Sequence, residues 1–130
     1  QRPVAEELSV ANVSPSRRAR GLTLTRGKTK TTLISAYMPG AVTWEGIEFE
    51  GRVLVAQVEG HKVPRVVLCE GTKLTWDDQI WLLEKTASVQ IERLERGMRV
   101  TNVGDNIADV GVDGRAVALS PGKRWMVPNV

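Results

Sequence analysis

The chain has 130 residues, 42% of them hydrophobic and 25% charged, which is the composition of a folded domain and excludes a largely disordered chain. A single cysteine excludes an internal disulfide framework, and because no run of about 18 apolar residues occurs we expect no membrane-spanning helix. The net charge of +3 is local: residues 17–30 contain six of the 18 basic residues and no acidic one, so the remainder carries 12 basic and 15 acidic residues.

Residues 1–20 are predicted to form an extended arm. The segment Glu7–Val13 alternates between polar and apolar residues and could pair as an edge strand that ends at Ser14-Pro15-Ser16. Because the chain begins at Gln1 and not at methionine, we expect a processed product or a piece of a longer chain. The pattern predicts an arm over 1–20 and a single β-rich domain over 21–130.

Short strand signals dominate residues 21–69. Runs rich in β-branched and aromatic residues are separated by turn residues such as Gly27, Pro39-Gly40 and Gly60. Gly51 interrupts the longest run and predicts a bulge or bend there. The predicted strands are Leu22–Thr25, Thr31–Met38, Val42–Trp44, Ile47–Val58 and Val66–Cys69.

The segment 75–97 supports two interpretations. As a helix that begins after Thr75 and ends at Gly97, it has one apolar stripe, and Trp81 lies off that stripe and would be exposed. As two strands with a bend near Lys85-Thr86, it alternates between apolar and polar residues, and Trp81 and Val89 face inward. Both periodicities are present, so the sequence predicts at most one helix, near residues 76–96.

Residues 98–127 have the clearest pattern in the chain. Short alternating runs are separated by turns at 104–106, Asp113-Gly114 and Pro121-Gly122, and an Asp-Gly pair accepts the positive φ angles of a type I′ hairpin turn. Together with the earlier strands, this predicts a mainly β fold. We expect an antiparallel β-sandwich or barrel, with a jelly roll as one form of it, and an extended N-terminal arm.

No cluster of residues predicts a metal or cofactor site, and we expect no cofactor. His61 is the only histidine and Cys69 the only cysteine, which is too few for the usual zinc sites. Asp105, Asp109 and Asp113 recur at every fourth residue, which is not the order of a calcium loop. Cys69 lies in an apolar run and is interpreted as a small buried hydrophobic residue, not as a reactive thiol.

Patterns of catalytic residues are also missing. The chain has no Gly-x-Ser-x-Gly motif, and His61 is interpreted as a solvated turn residue. Gly27-Lys28-Thr29 resembles the end of a phosphate-binding loop, but Gly21 is one residue too distant to complete the motif. Glu48 and Glu50 would share one strand face, where like charges more often mark a solvated face than a glycosidase site. No catalytic residue is predicted.

Two groups of residues are candidate binding sites. The first is the basic stretch, which could contact nucleic-acid phosphates or an acidic partner, although no aromatic residue for base stacking lies within it. The second is the pair Trp44 and Trp81, because an indole ring combines a large apolar surface with one hydrogen-bond donor and suits interfaces and ligand sites. The basic residues are Arg17, Arg18, Arg20, Arg26, Lys28 and Lys30.

These features favour a non-enzymatic structural or protein-interaction module that self-associates through its N-terminal arm or an edge strand. The expected partner is a second copy or another protein. The first alternative is nucleic-acid or polyanion binding through Arg17–Lys30. The second is a carbohydrate-binding module or a small hydrolase that uses an open barrel face with Trp44 or Trp81.

Overall fold

The computed structural model describes residues 7–60 and 62–128, and every regular element in those ranges is a β-strand. All of the strand pairs are antiparallel, so the predicted mainly β, antiparallel fold is confirmed. The strands are β1 Leu8–Ser16, β2 Ala19–Arg26, β3 Thr29–Ala36, β4 Val42–Trp44, β5 Ile47–Glu50, β6 Val53–Glu59, β7 Lys62–Trp76, β8 Gln79–Leu94, β9 Gly97–Asn102, β10 Ala108–Val112, β11 Arg115–Leu119 and β12 Arg124–Pro128.

The twelve strands form one sheet that folds over at β7 and β8. The first part of β7 and the last part of β8 belong to the first half-sheet, in the order β1-β2-β3-β6-β7-β8-β9-β12. Their other parts belong to the second half-sheet, β4-β5-β7-β8-β10-β11. At the free edges β1 lies beside β4 and β11 beside β12, but no ladder joins them among the described residues, so of the two expected forms, sandwich or barrel, the sheet does not close into a barrel.

The fold-over is located at Gly51, Gly71 and residues 83–86. Gly71 is buried, and a side chain there would collide with Leu68. The register shifts at Gly71: between the pairs Gly71–Ala87 and Lys73–Leu82, one residue of β7 opposes four of β8. Gly51 separates β5, in the second half-sheet, from β6, in the first, which confirms the predicted bend. These irregularities let two long strands change layer without breaking.

One hydrophobic core lies between the two half-sheets. Because side chains alternate along a strand, each half-sheet directs every second residue inward. Ile34, Leu54 and Val66 come from the first half, and Phe49 and Leu74 from the second; all five are at most 1% exposed. A large apolar core of this kind stabilises the fold without a disulfide or a metal.

The structure decides between the two interpretations of residues 75–97 in favour of strands. Asp77 and Asp78, with φ angles of 56° and 60°, form the turn between β7 and β8, and β8 bends where the sequence placed a bend, near Lys85-Thr86. The helix is therefore wrong: its stripe competed with an equally good alternation of buried residues, and pairing with three neighbouring strands, β7, β9 and β10, satisfies the backbone of β8.

Strand β1 pairs with β2 from Leu8 opposite Arg26 to Ser16 opposite Ala19, which confirms the predicted edge-strand pairing of residues 7–13. The Ser14-Pro15-Ser16 segment does not end the strand as expected. It produces an irregularity between Val13 and Ser16 instead, because a proline at a free edge removes no ladder hydrogen bond.

The closing hairpins are held together by Asn102. Its side chain is 1% exposed. The amide nitrogen donates to the carbonyl oxygens of Asn106, at 2.7 Å, and Leu119, at 2.9 Å, and the amide oxygen accepts from the N–H of Gly104 at 2.9 Å. The Asp113-Gly114 turn has φ angles of 50° and 75°, as a type I′ hairpin turn requires. Asn102 was not singled out from the sequence.

Candidate interaction surface

The structure separates the six basic residues of the 17–30 segment into several places. Arg17 and Arg18 lie in the turn between β1 and β2, and Lys28 lies in the opposite turn, between β2 and β3. Arg20 and Arg26 project from the outer face of β2, whereas Lys30 projects from the core-facing side of β3 beside Thr32. All six are exposed, but they do not form one continuous patch.

The Arg17-Arg18 turn is held by Tyr37, the residue after β3. The Tyr37 hydroxyl donates to the carbonyl oxygen of Arg17 at 2.5 Å, and its backbone N–H donates to the carbonyl oxygen of Arg18 at 2.9 Å. The N–H of Arg18 donates to the hydroxyl of Ser16 at 3.0 Å. These bonds give the turn a defined shape; both arginines are exposed, and the guanidinium group of Arg18 lies against Gly40.

The outer face of β1, β2 and β3 exposes a continuous apolar surface. Val10 faces Leu24 across the β1–β2 ladder, and Leu22 faces Leu33 across the β2–β3 ladder. Their exposed fractions are 60%, 39%, 41% and 44%, and we call these four residues the leucine strip. Val55 of β6 continues the same row beside Leu33 and is half-buried. A contiguous apolar surface of this kind marks an interaction site more often than isolated exposed residues do.

The leucine strip faces the opposite way from what the alternation of polar and apolar residues along β2 suggests. In Leu22-Thr23-Leu24-Thr25 the apolar residues would ordinarily face the core. Here the threonines face inward, and the hydroxyl of Thr23 is hydrogen-bonded to that of Thr32 at 2.8 Å. Thr32 is buried and Thr23 is half-buried, and their hydroxyls satisfy each other, so the inward side of the sheet accepts both. Sequence reasoning missed this surface because both faces of β2 are free of acidic residues and the alternation does not say which face is buried.

The free edge of β1 is the longest uncharged edge of the sheet. From Leu8 to Val13 it carries no charged residue, and among the described residues β1 pairs with β2 alone. The other edge strands are shorter: β4 has three residues, and β11 and β12 have five each, beginning with Arg115 and Arg124. Proteins usually protect an edge with charge, proline or shortness. The first six residues of β1 have none of these protections.

The opposite end of the same outer face is polar and ion-paired. Arg99 of β9 donates to both carboxylate oxygens of Glu92 on β8, at 3.0 and 3.1 Å, and the amide nitrogen of Gln90 donates to Glu92 at 3.1 Å. Arg65 lies 3.8 Å from the same carboxylate. Two arginines thus share one carboxylate at this end of the face, whereas the arginines of β2 form no ion pair with a described residue.

A groove of about 690 Å³ lies on the core-facing side of β1–β3, where that side is open to solvent. The ring of Trp44 is half-buried against the core and forms part of its wall. Glu45 has a φ angle of 48° in the β4–β5 turn, which orients that turn beside the groove. Trp44 is therefore accessible to a ligand. The other residues that line the groove include Ala11, Val13, Thr23, Thr25, Lys30 and Thr32.

Trp81 has no access to a ligand. It is 1% exposed and is one of the largest core side chains, because the strand pairing of β8 replaces the helix that would have placed it off the apolar stripe. Its indole N–H is buried without a hydrogen-bond partner among the described residues, as is the side-chain oxygen of Gln79. The structure thus places one of the two predicted aromatic candidates in the core.

The remaining candidate residues do not converge on a catalytic arrangement. Glu48 and Glu50 share the outer face of β5, opposite Thr75 and Lys73. Cys69 lies half-buried on the outer face of β7, which corrects the expectation of a buried residue. Burial raises the pKa of its thiol, and the Glu70 carboxylate raises it further, so the reactive thiolate is disfavoured.

Within residues 7–60 and 62–128, no three His, Cys, Asp or Glu side chains are close enough together to hold a metal ion. The same ranges contain no helix of the length and hydrophobicity needed to cross a bilayer. His61, the solvated turn histidine of the sequence analysis, lies outside the described residues. Comparison of the chain with protein-family models, with curated proteins and with solved structures finds no match.

Proposed function

We propose that this protein is a non-enzymatic interaction module that self-associates by adding a strand at the free edge of β1. The observation that carries the proposal is the six-residue uncharged run Leu8–Val13 on an edge strand that pairs on one side only. The unpaired N–H and C=O groups of such an edge can form a ladder with another strand, whose main-chain hydrogen bonds supply affinity.

A second copy of this chain suits the edge in charge as well as in pairing. Glu7 precedes β1, and Arg17 and Arg18 follow it. When two β1 strands pair antiparallel, Glu7 of one copy approaches the Arg17-Arg18 turn of the other, whereas parallel pairing would bring like charges together. The central residues are uncharged in both copies, so antiparallel self-pairing opposes no like charges. A closed two-fold dimer is the simplest assembly with this property.

The test is the mass in solution of a variant whose β1 edge carries charge. Ser9→Lys with Ala11→Lys places two lysines on exposed positions of β1 that face away from the leucine strip. In a self-paired edge these lysines meet their copies, so we expect the mass by light scattering to fall to the 14.3 kDa of one chain. Deleting residues 1–20 is less decisive, because it exposes β2 as a new edge.

The matched control is Ala116→Lys with Ala118→Lys on β11, which is also an edge strand with exposed alanines. This variant adds the same charge, and its mass in solution should equal that of the wild-type assembly. A wild-type mass of one chain at about 100 μM would rule out self-association with a Kd near or below that concentration. An equal loss of association in both variants would rule out β1 as the edge through which the copies pair.

Polyanion binding through the basic stretch is the second candidate, and one observation supports it. None of the six basic side chains forms an ion pair with another described residue, so all are available to phosphates. Retention on heparin would then fall when Arg17 and Arg18 are changed to glutamine, with a slope of log affinity against log salt that is about 2 units shallower. Equal retention of the variant and the wild type would exclude this turn as a phosphate-binding site.

A further inference from the structure

The leucine strip and the arginines at its ends define a second surface, separate from the edge of β1. Along β2 the outward-facing residues are Arg20, Leu22, Leu24 and Arg26 in succession. The arginine Cα atoms are six residues apart, which is about 20 Å along a strand. Neither arginine forms an ion pair with a described residue. An apolar centre is thus bracketed by two unpaired positive charges.

The charge of this face argues against a second copy as its occupant. Its outward-facing charged residues are five arginines, Lys62 and two glutamates, and one of the glutamates, Glu92, is already bound by Arg99. Two such faces stacked on each other would bring arginines close to arginines with few free acids to compensate, which disfavours the complex. The arginines are Arg20, Arg26, Arg65, Arg99 and Arg124, and the other glutamate is Glu59.

We infer that the leucine strip binds an extended acidic segment of a different protein, in which two apolar residues lie between two carboxylates. An extended chain presents alternate residues on one face, so the pattern acid-x-apolar-x-apolar-x-acid spans the same distance as Arg20-x-Leu22-x-Leu24-x-Arg26. Each carboxylate can then meet one guanidinium in the bidentate geometry that makes this pair selective. The apolar residues cover Leu22, Leu24 and Leu33 and remove them from water.

The outer face of the second half-sheet also exposes two large apolar residues, but they lack the surroundings of the leucine strip. Ile80 and Leu82 are also exposed, at 51% and 52%, on the outer face of the second half-sheet. The residues opposite them are Thr75 for Ile80 and Lys73 and Gly111 for Leu82, so no further large apolar residue extends this pair across the sheet. The same acidic segment therefore finds no matching arrangement there.

The experiment uses a seven-residue capped peptide, Glu-Ser-Leu-Ser-Leu-Ser-Glu, titrated into the full chain and followed by backbone amide chemical shifts. One control peptide has lysine at both ends, and the other has serine in place of both leucines. We expect shifts confined to β1, β2 and β3 with the first peptide, and binding about tenfold weaker or absent with each control. Equal binding of the three peptides, no binding of any, or shifts that map elsewhere would overturn the inference.

Protein variants separate this surface from the rest of the chain. Leu22→Ser with Leu33→Ser, and separately Arg20→Gln with Arg26→Gln, should each weaken peptide binding about tenfold. Ile80→Ser with Leu82→Ser is the matched control and should bind as the wild type does. Because the leucines are about 40% exposed, the variants should keep the wild-type circular dichroism spectrum, and a loss of that spectrum would show instead that the strip serves folding.

Other occupants give different results. If Leu22→Ser with Leu33→Ser lowers the mass of the protein in solution, a second copy covers the strip; if it abolishes binding to vesicles containing phosphatidylserine, a lipid surface does. Either outcome overturns the acidic-segment proposal. The edge variant Ser9→Lys with Ala11→Lys must still bind the peptide, since a loss there would mean that the peptide adds to β1. Self-association and segment binding can therefore fail independently.

Discussion

The N-terminal strands, residues 8–36, and the closing strands, residues 97–128, are built from the same kind of hairpin but differ in what they leave unsatisfied. In the closing strands Asn102 binds the carbonyl oxygens of Asn106 and Leu119 and the N–H of Gly104. These hydrogen bonds tie β9 to the loop that follows it and to the end of β11. The N-terminal strands expose Leu22, Leu33 and a free strand edge.

The difference separates a region that satisfies its own polar groups from the region that we propose as the interaction site. A buried polar side chain with all its partners fixes one arrangement of the backbone. An uncharged edge and an apolar outer face instead have unused capacity for contact. Both regions were predicted as strands from alternation and turn residues, and that common pattern conceals the contrast between them.

The largest expected effect sharpens the contrast between the two faces of β3. Ile34 is fully buried, and its neighbour Leu33 is 44% exposed on the other face. We expect Ile34→Ala to lower the free energy of unfolding by about 4 kcal/mol, since it leaves a cavity, and Leu33→Ala to lower it by about 1 kcal/mol or less. Urea denaturation measures both. Equal losses would mean that Leu33 belongs to the core.

The next effect tests the anchoring of the closing strands. Asn102→Ala leaves two carbonyl oxygens and one N–H without their side-chain partner, and we expect a loss of about 3 kcal/mol in the free energy of unfolding. Asn12, exposed on β1, provides the control, since Asn12→Ala should change that quantity by less than about 0.5 kcal/mol. If Asn102→Ala lowers the free energy of unfolding no more than Asn12→Ala does, water replaces these hydrogen bonds.

A smaller effect is expected at the turn that presents Arg17 and Arg18. Tyr37→Phe removes the hydroxyl that donates to the Arg17 carbonyl oxygen and retains the ring. Because the site is exposed, we expect a loss of about 0.5–1 kcal/mol, together with faster hydrogen exchange of the Arg18 N–H. Unchanged exchange at Arg18 would show that Ser16 alone holds the turn.

The smallest effect concerns the chemistry of Cys69. Burial and the Glu70 carboxylate both raise the pKa of the thiol, so at pH 7.5 less thiolate is present than in an unstructured cysteine and alkylation by iodoacetamide should be slower. Glu70→Gln removes the second cause and should speed alkylation at that pH, because it lowers the pKa of the thiol. A rate that falls in this variant would contradict the assigned sign.

Much of the fold was predictable because it depends on local features. The Asp113-Gly114 turn, the bend at Gly51 and the bend near Lys85-Thr86 each follow from residues adjacent in the chain. The identity of β8 was not predictable with certainty, since its apolar residues satisfy a helical and a strand period together. Trp81 shows the consequence: one interpretation exposes it, and the structure buries it.

The candidate surfaces were less predictable than the strands. The basic stretch was visible in the sequence, but its separation into two turns and two faces follows from the path of β2 and β3. Asn102 could not be recognised as an anchor, because its partner Leu119 is distant in the chain and meets it only when the two hairpins pack. Trp44 stays a candidate without a test, and the groove beside it is lined by residues of six strands, β1, β2, β3, β4, β6 and β7, which are distant from one another in the chain.

The sequence by itself determined that this protein is made of antiparallel strands, since alternation and turn chemistry are local properties of the chain. It also determined that the excess positive charge is confined to residues 17–30. Only the tertiary structure decided which face of each strand is buried. Thr23 and Thr32 face inward beside the groove, where their hydroxyls bind each other, and Leu22 and Leu24 lie on the outside, where they are available to a partner.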